Sequence, residues 1–183
     1  MIIIGITGTI GAGKGTIVDF LIEKGFVHYS VRTFITQELN RRGIEVNRDN
    51  MVVVANEMRA KNSPSYIIEQ LYEQASQSKQ NCIIESIRTI GEVEQLKKYG
   101  NFCLFAVDAK PELRYNRILE RNSETDQISY EVFLENEKRE MTSDDMNKQN
   151  LSKCISMANY IIENNGTKEE LNRKVEEILN DIK

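Results

Sequence analysis

The residues Gly8-Thr9-Ile10-Gly11-Ala12-Gly13-Lys14-Gly15-Thr16 combine the types that bind phosphate. Gly8, Gly11 and Gly13 let backbone N–H groups turn inward around an anion, and a helix expected from Lys14 onward aims its positive end at the same charge. Lys14 is spaced to reach the β- and γ-phosphates of ATP or GTP, and a hydroxyl is needed on the Mg²⁺ side. Gly15 occupies the place where Ser or Thr usually follows the lysine, so Thr16 is the expected metal-side hydroxyl. The whole stretch Gly8, Gly11, Ala12, Gly13, Lys14, Gly15 and Thr16 is therefore the expected nucleotide cradle. A glycine-rich turn with an incidental lysine is the bland alternative.

Other residues extend this chemistry. Glu85 ends an apolar run and precedes Ser86-Ile87-Arg88. At the C-terminal end of a parallel strand its carboxylate would face the loop and orient the Mg²⁺ shell; direct base catalysis would require its ordinary pKa, near 4.3, to be raised. An acid at a helix start is the alternative. Arg32, Arg59 and Arg88 flank strand ends on the same side, and guanidinium forks suit an acceptor that carries its own phosphate. Arg114, Arg117 and Arg121 recur at helical spacing and share a face that could touch a phosphate or nucleobase, with a solvated charged surface as the alternative. Arg121 and Arg139 are the candidates for neutralising a transferring phosphoryl group from a lid. Asn164-Asn165-Gly166 follows an apolar run; it is either a plain turn or a set of hydrogen-bonding groups for a purine edge, with Thr167 capping the next helix.

Strand patterns at 2–6, 26–29, 81–84, 102–107 and 159–162 position these residues. Helical patterns fall at 14–23, 31–42, 50–60, 65–78, 90–98, 111–121, 129–139 and 168–181. Strands alternating with helices predict an α/β fold with a parallel sheet covered on both faces, and ligands in such sheets sit beyond the strands' C-terminal ends. One domain, 1–183, is expected. It carries a helical acceptor-binding insertion at about 31–78 and a charged lid-like region at about 122–153.

Composition narrows the field. A net charge of −4 with interleaved signs gives no broad nucleic-acid surface. Three widely spaced cysteines, Cys82, Cys103 and Cys154, and a single histidine argue against a disulfide scaffold or a Cys/His zinc site. Ile2–Ile6 is far too short to span a bilayer and no basic run precedes it, so a cytoplasmic protein without membrane partners is expected, as monomer or homodimer.

The chain resembles the nucleoside-monophosphate kinase and dephospho-coenzyme A kinase group of P-loop kinases, and more closely their small adenylate-kinase-like relatives. The likeness rests on Gly8–Thr16, on Glu85-Ser86-Ile87-Arg88, and on Ala158-Asn159-Tyr160-Ile161-Ile162-Glu163-Asn164-Asn165-Gly166. It implies a three-layer α/β/α fold with a five-stranded sheet and ATP with Mg²⁺ as cofactors. It also implies acceptor-phosphate binding by Arg32 and Arg88, lid arginines Arg121 and Arg139, and adenine bordered by Asn164 to Gly166. The sequence departs from these relatives where Glu85-Ser86 stands in place of Asp-Gly, and where Tyr29-Ser30-Val31 lacks the acid often found before the corresponding arginine. The expected activity is ATP-dependent phosphoryl transfer to a nucleoside or deoxynucleoside monophosphate. Transfer to dephospho-coenzyme A, and a nucleotide-dependent switch or assembly NTPase, are the alternatives.

Overall fold

A computed structural model describes residues 1–122 and 127–182. Five strands, β1 (Ile3–Gly8), β2 (Val27–Ser30), β3 (Cys82–Glu85), β4 (Phe102–Asp108) and β5 (Tyr160–Glu163), form one parallel sheet in the order β2-β3-β1-β4-β5. The first strand lies at the centre, so its buried run IIGITG is apolar on both faces, as a doubly covered strand requires.

Alternation along the strands sorts the core into two layers. Ile3, Ile84 and Leu104 face one side, where they pack with α2 (Val31–Arg42), α3 (Arg48–Lys61), α4 (Tyr66–Ser78), α5 (Ile90–Lys98) and α8 (Leu151–Ser156). Ile4, Ile6, Ile83 and Phe105 face the other, against α1 (Lys14–Glu23) and α9 (Lys168–Asp181). The result is the three-layer α/β/α architecture with a five-stranded parallel sheet of P-loop kinases. The remaining helices, α6 (Pro111–Arg121) and α7 (Tyr130–Met141), cover the end of the sheet through a small cluster of Ile10, Ile118 and Phe133.

Differences from the sequence expectation are local. Helix α3 begins at Arg48 because Asn47 caps it, its side chain accepting from the Asn50 amide. Helix α8 falls outside the helical patterns of the sequence: six residues are too few to show a helical period, and its cap is Asn150. The expected cap Thr167 forms a complete capping box with Glu170. Of the lid-like stretch at about 122–153, residues 123–126 lie outside the described residues, and the rest contains α7, a loop and the start of α8.

Candidate functional site

Strand β1 runs straight into the glycine-rich loop, and α1 starts at Lys14 directly after it. Three glycines are required by this path: at Gly8, φ +140°, a Cβ would lie 2.0 Å from the Val107 carbonyl oxygen. Gly13 has φ +105°, and a Cβ there would lie 2.3 Å from Asn164 Nδ2; Gly11 has φ +74°, and a Cβ there would lie 2.4 Å from the Arg114 carbonyl oxygen. The loop is thus pressed between β5's exit and α6 and opens only toward the cleft.

Lys14 reaches back over the loop, its Nζ donating to the Gly8 carbonyl at 2.9 Å and the Thr9 carbonyl at 2.7 Å. Burial beneath the helix and, next, the nearby Arg88 charge depress its pKa from 10.5 to about 7. An ammonium held so reluctantly is a receptor for negative charge. The side chain remains partly open to a cleft of about 630 Å³, whose walls include Gly11, Gly13, Gly15 and Thr16 of the loop, Glu85 and Ser86 of the β3 end, and Arg32, Arg48 and Arg88. Arg117, Arg121, Asn164, Gly166 and Lys168 close its far side.

Glu85 lies at the C-terminal end of β3, beside β1, as parallel pairing dictates. Its Oε1 accepts from Ser86 Oγ at 2.9 Å and Ser30 Oγ at 3.3 Å. Ser86 adopts φ +67°, the left-handed conformation that glycine takes at least cost. From this backbone position the Ser86 hydroxyl donates to the Glu85 carboxylate and orients it.

A smaller pocket of about 90 Å³ adjoins this cleft. The two share Arg32, Arg48, Ser86 and Arg88, and the pocket's apolar wall is built from residues of α2 and α3, among them Ile35, Met51 and Ala55. Arg88 is fixed from several sides. Its amide donates to Glu92 Oε2 at 2.9 Å, its carbonyl accepts from the Asn150 amide at 2.8 Å, and its guanidinium meets Gln149 Oε1 at 3.2 Å and the Glu140 carboxylate. Glu140, on the last turn of α7, is only 3 % exposed and also accepts from Arg48. Burial alone would raise its pKa, but Arg88 and Arg48 outweigh that and hold the carboxyl below the usual range.

Several sequence-predicted residues have other positions. Arg59 is buried, its Nε and Nη2 donating to Glu92 Oε1 at 3.1 and 2.7 Å, so it is committed to an internal ion pair and lines only the inner pocket. Arg139 pairs with Asp49 at 2.9 Å and lies outside the 630 Å³ cleft, because α7 turns that face toward the start of α3. Asn164 uses its amide to hold the Ala12 carbonyl at 2.8 Å, and Asn165 accepts from the Lys110 amide at 2.9 Å. Both side chains thus brace the fold, one through its amide nitrogen and the other through its amide oxygen. Arg114 likewise turns inward, donating to the Ala109 and Ile10 carbonyls and forking onto Glu137.

Arg48, Glu140 and Gln149 escaped the sequence reading. Arg48 sits at a helix start among polar residues, and the other two lie beyond the sheet, so only tertiary folding joins them to Arg88.

Comparison with known proteins fits this geometry. Residues 4–143 match the family model described as an AAA domain. The chain is 26% identical to a UPF0200 protein of Methanocaldococcus jannaschii, with 100% of this chain and 91% of the relative aligned. It is 28% identical to a UPF0200 protein of Sulfurisphaera tokodaii, over 98% and 97% of the two chains. The solved structure of TT1252 from Thermus thermophilus superposes with a TM-score of 0.60 at 20% identity, covering 100% and 98%. Shikimate kinase from Bacteroides thetaiotaomicron gives 0.58 at 13%, covering 98% of each chain. These likenesses show a kinase-like P-loop fold without singling out adenylate kinases or dephospho-coenzyme A kinases.

Proposed function

The chain belongs to the AAA-domain family, and from that premise we propose that it is an ATP-dependent kinase of a small phosphate-bearing acceptor, with a nucleoside or deoxynucleoside monophosphate as the first candidate. One observation carries the reading. The glycine-rich loop and the arginine-lined inner pocket share a wall of Arg32, Arg48, Ser86 and Arg88, which sets two anion-binding compartments end to end.

The donor set fits a nucleotide: a helix N-terminus, inward-turned loop amides and a lysine whose charge is underused. Magnesium-bound ATP would supply the activated γ-phosphoryl group, held by Lys14, the loop and Thr16. The cation would arrive on the nucleotide's phosphates, with Thr16 and Glu85 on its side of the cleft. Glu85 orients that shell; Ser30 and Ser86 keep its carboxylate in place. Arg88 and Arg32 take the acceptor's anion, while Arg121, at the end of α6, adds positive charge at the mouth. Excluding water from the cleft during transfer would separate phosphoryl transfer from hydrolysis.

The test is product formation from ATP across ribo- and deoxynucleoside monophosphates and dephospho-coenzyme A, with Mg²⁺ and a Lys14→Ala control. Rapid, Lys14-dependent conversion of a monophosphate to a diphosphate is expected. Conversion of dephospho-coenzyme A alone would reassign the acceptor. Tight ATP binding with no acceptor-dependent product would overturn the kinase reading in favour of a nucleotide switch.

A further inference from the structure

The inner pocket already contains an anion of the protein's own. Glu140 reaches from the last turn of α7 between Arg48 and Arg88, 92 and 52 residues away in the chain, and is almost sealed from solvent. Yet it does not satisfy the pocket. Arg59 Nη1, on a side chain 1% exposed, and Arg48 Nε are buried without a hydrogen-bond partner, and both residues line the cavity. Two oxygens of one carboxylate cannot serve this many guanidinium donors; a tetrahedral anion offers more acceptors and more charge.

We propose that Glu140 is a built-in plug that an acceptor must displace, and that it sets a threshold admitting a phosphomonoester dianion while leaving a monocarboxylate unbound. This rests on reading the inner pocket as the acceptor's anion site. The threshold follows from charge. Exchanging Glu140 for another carboxylate replaces like with like, whereas a dianion gains attraction from the same arginines and fills donors that Glu140 leaves empty. The plug subtracts the same amount from every anion, so the ranking of ligands is set by the arginines and the cut-off by Glu140.

Displacement has a mechanical consequence. Helix α7 is held in its first turn by Phe133 in the small core, further along by Glu137 on Arg114, and at its C-terminal end by the buried Glu140 and the exposed Arg139–Asp49 pair. Expelling the Glu140 carboxylate removes the buried anchor of that last turn and loosens the loop that carries Gln149 beside Arg88. Acceptor binding is thereby coupled to movement of the segment covering the site.

The probes are methyl phosphate and propionate, titrated calorimetrically into the full chain in a Lys14→Ala background that weakens competing binding at the glycine-rich loop. Methyl phosphate should bind and propionate should not. Adding Glu140→Gln should tighten methyl phosphate at least tenfold and bring propionate into the measurable range by a similar factor. Unchanged methyl phosphate affinity in a folded Glu140→Gln variant overturns the plug. So does propionate binding as tightly as methyl phosphate when Glu140 is intact, or methyl phosphate binding that survives Arg88→Met. Should Glu140→Gln fail to fold, hydrogen exchange on the wild-type chain decides: methyl phosphate should accelerate exchange in the last turn of α7, and unchanged protection at saturation refutes displacement. None of these readouts needs nucleotide turnover, so a missing kinase activity and a missing plug are separately visible.

Discussion

Asn164 and Gly13 form a single joint: the Asn164 amide donates to the Ala12 carbonyl at 2.8 Å and fills the space that any Cβ at Gly13 would need. The residue that follows β5 thereby braces the glycine-rich loop from 152 positions away. Truncating Asn164 to Ala leaves a buried carbonyl unpaired, an expected loss of about 1–3 kcal/mol of stability. Gly13→Ala should cost at least as much, from the clash and the left-handed backbone together. Because the clash disappears when Asn164 is truncated, the double variant should be less destabilised than the sum of the singles. Urea unfolding of the four proteins measures that coupling.

Lys14 gives nucleotide binding a pH signature. Its pKa of about 7 in the folded chain means that it is mostly neutral at pH 8, and phosphate beside it should restore the proton. Nucleotide binding at pH 8 should therefore take up protons, and affinity should fall as pH rises from 7 toward 9. Calorimetry in buffers of different ionisation enthalpy reads the uptake, which Lys14→Met should abolish.

The same lysine tilts stability. Between about pH 7 and its ordinary pKa of 10.5 the unfolded chain binds more protons than the folded one at this site, so Lys14 contributes a stability that rises with pH across that window. Lys14→Met should flatten this slope and raise the unfolding midpoint at pH 7. Denaturation at several pH values checks the sign.

Arg59 and Glu92 form a pair buried to 1% and 0% side-chain exposure, and the second Glu92 oxygen also holds the Arg88 and Thr89 amides. Removing one partner strands a charge, so Arg59→Met and Glu92→Gln are each expected to lose about 3–5 kcal/mol. Glu92→Gln should also weaken acceptor binding by loosening Arg88, whereas a lesion confined to packing would leave it unchanged. Chemical denaturation and acceptor titration separate the two effects.

Arg121 and Arg139 should part company. Arg121 lines the cleft, while Arg139 makes an exposed pair with Asp49 that is worth about 1 kcal/mol or less. Arg121→Ala should lower acceptor-dependent turnover by about a hundredfold or more, the scale of one lost transition-state charge. Arg139→Ala should leave turnover within about threefold. Steady-state kinetics on both variants supplies the comparison.

Local patterning carried most of the architecture. The run Ile3–Ile6 before Gly8 dictated a buried strand entering a loop, the continuous apolar run Phe102–Val107 dictated a doubly covered strand, and Thr167 dictated a helix start. The path of the glycine-rich loop was equally local, since glycine backbone freedom is a property of contiguous residues. The sheet order and the partners of the arginines were not. An arginine's reach is long and its sequence neighbours say little about where the guanidinium ends, so Arg59, Arg114 and Arg139, chemically alike in the chain, became an internal strut, a loop anchor and a surface pair. Glu140 between Arg48 and Arg88, and Asn164 behind Ala12, were decided only when packing brought distant segments together. Desolvation then forced each buried charge or polar group to find an opposite one, and that demand has no signature in sequence spacing.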